Sequence, residues 1–304
     1  MAIDVVSAID ARPSRPIDMV GALAGDFSVE VTPAAASRID SFQAVLPGGT
    51  RVFVPSLPGG DPGERERLAR RLVGEGMVPV VHVAARGVAD AAALRGHLDR
   101  LAADGTRELL LIAGDVARPA GPFAGTIELL ASGALDGLPF ATLRFAGHPE
   151  GLAGVAPHSL DRAVADKLAL ARDRGIAIEF VSQFAFSARP IAAWVRRMAD
   201  LAPGTPLRIG IAGPTSLSTL LVYARQCAIG ASVRALTRRP WLVGRLARNW
   251  TPDRLLDELA RDRLHGRLPG TLGLHLFPFG GFGRSAAWVQ SLGQAARRGH
   301  AAMN

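Results

Sequence analysis

A chain of 304 residues, 48% hydrophobic and 20% charged, is long enough for one large domain and too apolar for disorder in bulk. No apolar run is long enough to span a bilayer, and Met1 to Pro16 carries Asp4, Asp10, Arg12 and Arg15 where a signal peptide would be apolar. A cytoplasmic location without membrane contact is therefore expected. The net charge of +8 does not make a nucleic-acid binder, because the chain has one Tyr and its Arg residues are scattered rather than interleaved with aromatic rings; a basic surface would instead attract anionic substrates and cofactors.

Residues 1–25 read as a lead-in with a short helix. Strand one, Phe27–Val31, is broken by Thr32-Pro33, and Ala34–Val45 reads as a helix. Strand two, Arg51–Val54, runs into the turn-rich Pro55–Gly60. Asp61-Pro62 then supplies a cap and a first-turn proline for the helix Glu64–Glu75. Strand three, Val78–Ala84, precedes the helix Ala89–Ala103; strand four, Leu109–Ala113, is followed by a loop and a helix near Gly125–Ser132. Strand five is Ala141–Phe145, with a polar loop and the helix Ser159–Arg174 behind it. Strand six, Ile178–Ser182, leads to a helix over Ile191–Leu201. Strand seven, Arg208–Ala212, is followed by a helical region, Ser216–Asp262, with a break near Arg239-Pro240. Strand eight, Leu272–Phe277, ends in a Gly-rich turn before the helix Ser285–Ala296. Cys227, the single cysteine, excludes an internal disulfide and a cysteine metal cluster, and reads as a small core residue.

Eight strand–helix alternations predict an α/β fold of the (βα)8 TIM-barrel type, a single domain over residues 26–304. In such a barrel the C-terminal strand ends share one rim, where active sites form. Glu30, His82, Asp115, His148 and Gln183 would all lie there. A carboxylate among apolar neighbours, as Glu30 is, has its pKa raised by desolvation and suits a general acid; a cap or salt-bridge role is the alternative. Asp115 is a rim acid or a turn residue, and His82 a site residue or a satisfied core histidine. His148 lies in a polar loop, and Gln183 can meet a heterocycle's edge as donor and acceptor at once. Gly280–Gly283, before a helix, could meet a phosphate or simply allow a tight turn. No histidines or carboxylates stand at metal-ligand spacing, so no metal is expected.

Five short segments in order resemble one family. They are Phe27–Pro33 (the family's F-E-x-x-P), Ile112–Asp115 (L-R-G-D), Gly147–Glu150 (G-H-P-E), Ser182–Phe186 (T-Q-x-F-F) and Ile209–Pro214 (P-G-I-x-P). With them the chain resembles the methylenetetrahydrofolate reductases, flavin-containing barrels that reduce 5,10-methylenetetrahydrofolate to 5-methyltetrahydrofolate with NAD(P)H. The resemblance implies a tetrahydrofolate substrate, FAD, and NADH or NADPH. It implies Glu30 as the acid helping to protonate N10, Asp115 near flavin and pterin, Gln183 and Phe184 at the substrate, and His82 and His148 at the flavin. Arg144, Lys167 and Arg172 are the basic residues nearest the positions that grip flavin phosphates. The family's T-Y-G loop is here Pro55–Gly60, the Arg before G-D is Ala113, and Arg144-Phe145 stands where the family has Tyr-Pro. A methyltetrahydrofolate-using methyl-transfer or demethylation enzyme and a non-catalytic folate-binding paralogue are the alternatives on the same barrel. Homo-oligomerisation stays open.

Overall fold

The computed structural model describes residues 13–226 and 249–301; Cys227 and the expected break at Arg239-Pro240 lie outside them. Eight parallel strands close into one barrel: β1 (Phe27–Glu30), β2 (Arg51–Val54), β3 (Val78–Ala84), β4 (Glu108–Ile112), β5 (Thr142–Gly147), β6 (Ala177–Ser182), β7 (Leu207–Ala212) and β10 (Leu272–Phe277). Each pairs with its sequence neighbours, and β10 closes against β1 with Val29 beside Leu276. The fold is the (βα)8 barrel expected. A short antiparallel pair, β8 (Thr215–Ser216) with β9 (Asn249–Trp250), sits outside it.

Alternation along each strand builds two cores. Outward residues such as Val29, Val52, Val81, Leu109, Leu143, Phe180, Ile209 and Leu274 are buried under the helices. Those helices are α1 (Pro16–Gly25), α2 (Pro33–Ala36), α3 (Pro62–Gly74), α4 (Ala91–Ala103), α5 (Thr126–Ala131), α6 (Pro157–Arg172), α7 (Ala188–Leu201) and α8 (Leu217–Gln226), then Asp253–Leu264 and Phe282–Ala301. The expected cap is present: Asp61 accepts from the Gly63 N–H at 2.8 Å with Pro62 at the first helical position. Asp90, read as part of a helix from Ala89, instead caps α4, accepting from the Ala93 N–H at 2.7 Å.

The helix expected over Ala34–Val45 shrinks to Pro33–Ala36. Arg71 of α3 captures the carbonyls of Ala36, Ile39 and Asp40 at 3.0, 2.5 and 3.1 Å, and its guanidinium lies over the Phe42 ring. Carbonyls bound to a distant arginine hold the segment as turns. Similarly, the helical reading of Ser216–Asp262 resolves into α8, the β8–β9 pair and the helix Asp253–Leu264 among the described residues. None of the helices among the described residues is long and apolar enough to cross a membrane.

At the N-terminal end five inward strand residues and the exposed Asp26 just before β1 form a closed ring of alternating charge. Arg51 meets Asp26 at 3.1 Å and Glu108 at 3.3 Å; Arg144 meets Glu108 at 2.8 Å and also Glu179; Arg208 meets Glu179 at 2.9 Å and Asp26 at 2.8 Å. Arg144 and Arg208 are each only 2% exposed. Buried charges persist only when paired, and here every one has two neighbours of opposite sign. This ring is the floor of the barrel.

Candidate active site

Above the floor, Phe53, Val80, Leu110 and Val181 form a small inward cluster. Beyond it the interior turns polar without ion pairs. Val29 points outward, so Glu30 points in, and its Oε2 lies 3.7 Å from Nε2 of His82. That is too long for a hydrogen bond. Burial pushes the Glu30 carboxyl up to about 7. Burial, with a lesser effect from the nearby Arg65 charge, pushes His82 down to about 3. The pair is therefore an acid poised near neutrality beside a neutral imidazole, not a salt bridge. His82 Nε2 is buried without a hydrogen-bond partner among the described residues.

His275 completes this group, although nothing in the sequence reading singled it out. It is inward on β10 between Leu274 and Leu276, with Nδ1 2.9 Å from the Ser28 hydroxyl. Burial, reinforced by His82 and the floor arginines Arg208 and Arg144, holds it well below the ordinary histidine range. Its ring lies 4.3 Å from that of Phe53 and 4.6 Å from that of Phe277. The available signal was alternation: a histidine in register with Phe277 must share its face.

The remaining rim residues fall into separate places. The Gln183 N–H continues the barrel ladder, donating to the Gly147 carbonyl at 2.9 Å, while Nδ1 of His148 is buried without a hydrogen-bond partner among the described residues. Burial lowers the His148 imidazole, the nearby Gln183 side chain opposes this, and the Lys167 charge adds to the lowering. Gly147 has to be glycine, because a Cβ there would lie 2.3 Å from the Trp194 ring of α7. Asp115 is exposed in the loop after β4. Gly114 before it has φ +91°, and an added Cβ would stand 3.1 Å from Ala84 Cβ, so the β3 and β4 ends approach closely there. Gly281 donates to the Pro278 carbonyl at 2.9 Å, so the Gly-rich segment closes on itself as a tight turn.

Phe184, expected at the substrate, is 2% exposed and enclosed by Phe186, Phe277 and Phe279. It anchors an aromatic cluster from behind rather than presenting its own face.

The three cations expected to grip a flavin pyrophosphate do not converge. Arg144 belongs to the floor ring, ion-paired with Glu108 and Glu179. Lys167, midway along α6, is turned toward the barrel wall, its ammonium 5.1 Å from the Phe145 ring centroid and pushed down to about 8 by burial. Arg172 is the last residue of α6 and exposed. Five helical residues separate two side chains by about 140° and roughly 7.5 Å, so Lys167 and Arg172 point to different sides. These residues do not fit one phosphate site. Among the described residues no group of three or more His, Cys, Asp or Glu could hold a metal ion.

What fold and site define together is a (βα)8 barrel with a desolvated acid at its inner mouth. No family model matches the chain. Among solved structures, a protein from Burkholderia cenocepacia J2315 described as a "putative lyase/mutase" aligns with a TM-score of 0.42 and 16% identity, over 94% of this chain and 89% of that one.

Proposed function

We propose that this chain is a folate-dependent oxidoreductase resembling the methylenetetrahydrofolate reductases, reducing 5,10-methylenetetrahydrofolate to 5-methyltetrahydrofolate with hydride taken directly from NADH or NADPH. The observation that carries the reading is Glu30, a carboxyl pushed up to about 7 by burial, inward at the mouth end of β1 in the segment that resembles the family's acid. In the proposed reaction the Glu30 proton goes to N10 as the C–N10 bond breaks. The nitrogen N5 then holds the one-carbon unit as an iminium cation. Hydride from the reduced nicotinamide adds to that carbon, giving the N5-methyl group and oxidised nicotinamide. Glu30 is reprotonated from solvent, so the sum consumes one NAD(P)H and one proton.

His82, neutral at working pH, adds no positive charge beside the forming cation. Gln183, with His148 beside it, offers the pterin edge a donor and an acceptor. Asp115 supplies negative charge from the exposed loop after β4. The test is to incubate purified protein with 5,10-methylenetetrahydrofolate and NADH or NADPH, following 340 nm absorbance and product chromatography. Stoichiometric 5-methyltetrahydrofolate is expected; nicotinamide oxidation without it, or neither, sinks the reading.

A further inference from the structure

The chain has twelve Phe, four Trp and one Tyr, and among the described residues six of these rings gather at one side of the mouth. Phe184 is buried behind; Phe186, Tyr223, Trp250, Phe277 and Phe279 are only partly buried. Rings of the main core, such as Phe42, Phe145 and Phe180, are almost fully enclosed, so this cluster differs in leaving five of its rings partly accessible while they pack on one another.

Its position ties it to the acid. Val29 pairs with Leu276, so the next residues, Glu30 and Phe277, stand side by side on adjoining strands. From there the rings run outward. Phe277 and Phe279 are near parallel at 6.0 Å, Phe279 and Tyr223 stack at 4.3 Å with planes 22° apart, and Phe186 meets Trp250 edge-on at 6.4 Å. Phe279 has φ +45°, alone among the described non-glycine residues in a positive-φ conformation. Such backbone strain persists only where surrounding structure imposes it, and it concentrates at ligand sites. Here it turns the ring of Phe279 onto Tyr223 at the mouth.

We propose that Phe277, Phe279, Tyr223, Phe186 and Trp250 form a stacking wall that receives a planar heteroaromatic ring of the ligand on which Glu30 acts. The shared chemistry is a flat π-face next to a proton donor, and both a pterin and a nicotinamide offer it. Stacking on aromatic side chains tolerates different rings, since each has a π-face, and losing one such partner weakens binding by roughly ten- to hundredfold. The identity of the ring rests on the proposed folate reading; the wall itself does not.

Calorimetric titration of the full chain with 6-methylpterin and, separately, with nicotinamide mononucleotide tests this without turnover. At least one probe is expected to bind the parent, to keep its affinity in Phe279→Tyr, and to lose tenfold or more in Phe279→Leu, which keeps apolar bulk without the π-face. The arm that responds names the ring. Phe186→Leu, at the outer edge, serves if Phe279→Leu fails to fold, with a several-fold loss expected. Binding of neither probe to the parent, or equal affinity in the leucine and tyrosine variants, overturns the wall. Pterin binding without formation of 5-methyltetrahydrofolate keeps the wall and removes the reductase.

Discussion

At the floor of the barrel six charges neutralise one another in a closed ring, whereas at the mouth burial is the chief force shifting Glu30, His82 and His275 toward their neutral forms. Both regions hide ionisable groups from water. The floor offsets desolvation with counter-charges on neighbouring elements, which fixes the side chains against one another. The mouth leaves desolvation uncompensated, which moves proton affinities toward values at which a group can give up or decline a proton near neutrality. Paired charge fixes geometry; unpaired, desolvated groups are left for chemistry.

The largest effect should come from removing the acid. Glu30→Gln keeps shape and takes away the proton, and general acid catalysis typically contributes about 10²–10⁴-fold. Turnover should fall by that factor with substrate affinity nearly unchanged; turnover within a few-fold of the parent would make Glu30 structural. In the parent, kcat/KM for reduction should fall as pH rises through about 7, where Glu30 loses its proton. At the floor, Glu179→Ala leaves Arg144 and Arg208 buried without one counter-charge each. Breaking a buried pair this way costs about 3–5 kcal/mol. Urea unfolding should show that loss, while the surviving folded fraction turns over normally; loss of activity without loss of stability would erase the distinction between floor and mouth.

A smaller effect sharpens the comparison through pH. The folded Glu30 carboxyl lies at about 7 against an ordinary 4.5, so between those values the folded state holds more protons than the unfolded one. Stability from this group is therefore present at low pH and lost as pH rises through about 7. His82, lowered from 6.5 to about 3, acts in the opposite sense, its penalty easing as pH rises toward 6.5. Glu30→Gln should gain stability over the parent as pH climbs from 5 to 8, with a ceiling of about 3 kcal/mol at about 1.4 kcal/mol per pH unit. A difference that stays constant over that range would show that the carboxyl is not desolvated. At the rim, Gln183→Ala should weaken reduced-folate binding by about 1–3 kcal/mol in calorimetry, the cost of leaving a buried polar partner unmatched.

Much of the barrel was legible because each apolar run ends in a polar residue, Gly or Pro. β2, β3 and β10 have the ends read from sequence, while β5 begins and ends one to two residues later than Ala141–Phe145 suggests. What stayed hidden depends on partners far along the chain. The turns after Ala36 are made by Arg71, more than thirty residues on. Arg144 in Leu143-Arg144-Phe145 looks like a free cation until Glu108 and Glu179 arrive from the strands on either side. Glu30 was readable because strand alternation decides its direction locally. His275 obeys the same rule, but its significance comes only from Ser28 and Phe277 beside it. Phe184 was placed on the correct strand end, but its burial depends on Phe279, which is brought over it by the turn after β10.

The smallest expected effect tests the separation of the cations. Arg172 is exposed at the end of α6, and Lys167 lies about 140° around the same helix against Phe145. Substitutions at exposed positions away from special contacts usually stay within about 0.5 kcal/mol. Arg172→Glu should therefore leave thermal stability, folate affinity and NAD(P)H-dependent turnover within that margin. Lys167→Glu should do more damage, since it replaces a cation over an aromatic face with a half-buried anion beside the His148–Gln183 contact. The visible spectrum of the purified protein supplies the decisive control. If the parent shows flavin absorbance and Arg172→Glu discharges it, the two cations act together on one phosphate and the direct hydride route fails. If Arg172→Glu is silent and Lys167→Glu alone perturbs folate binding, the cation on α6 serves the rim through His148 and Gln183.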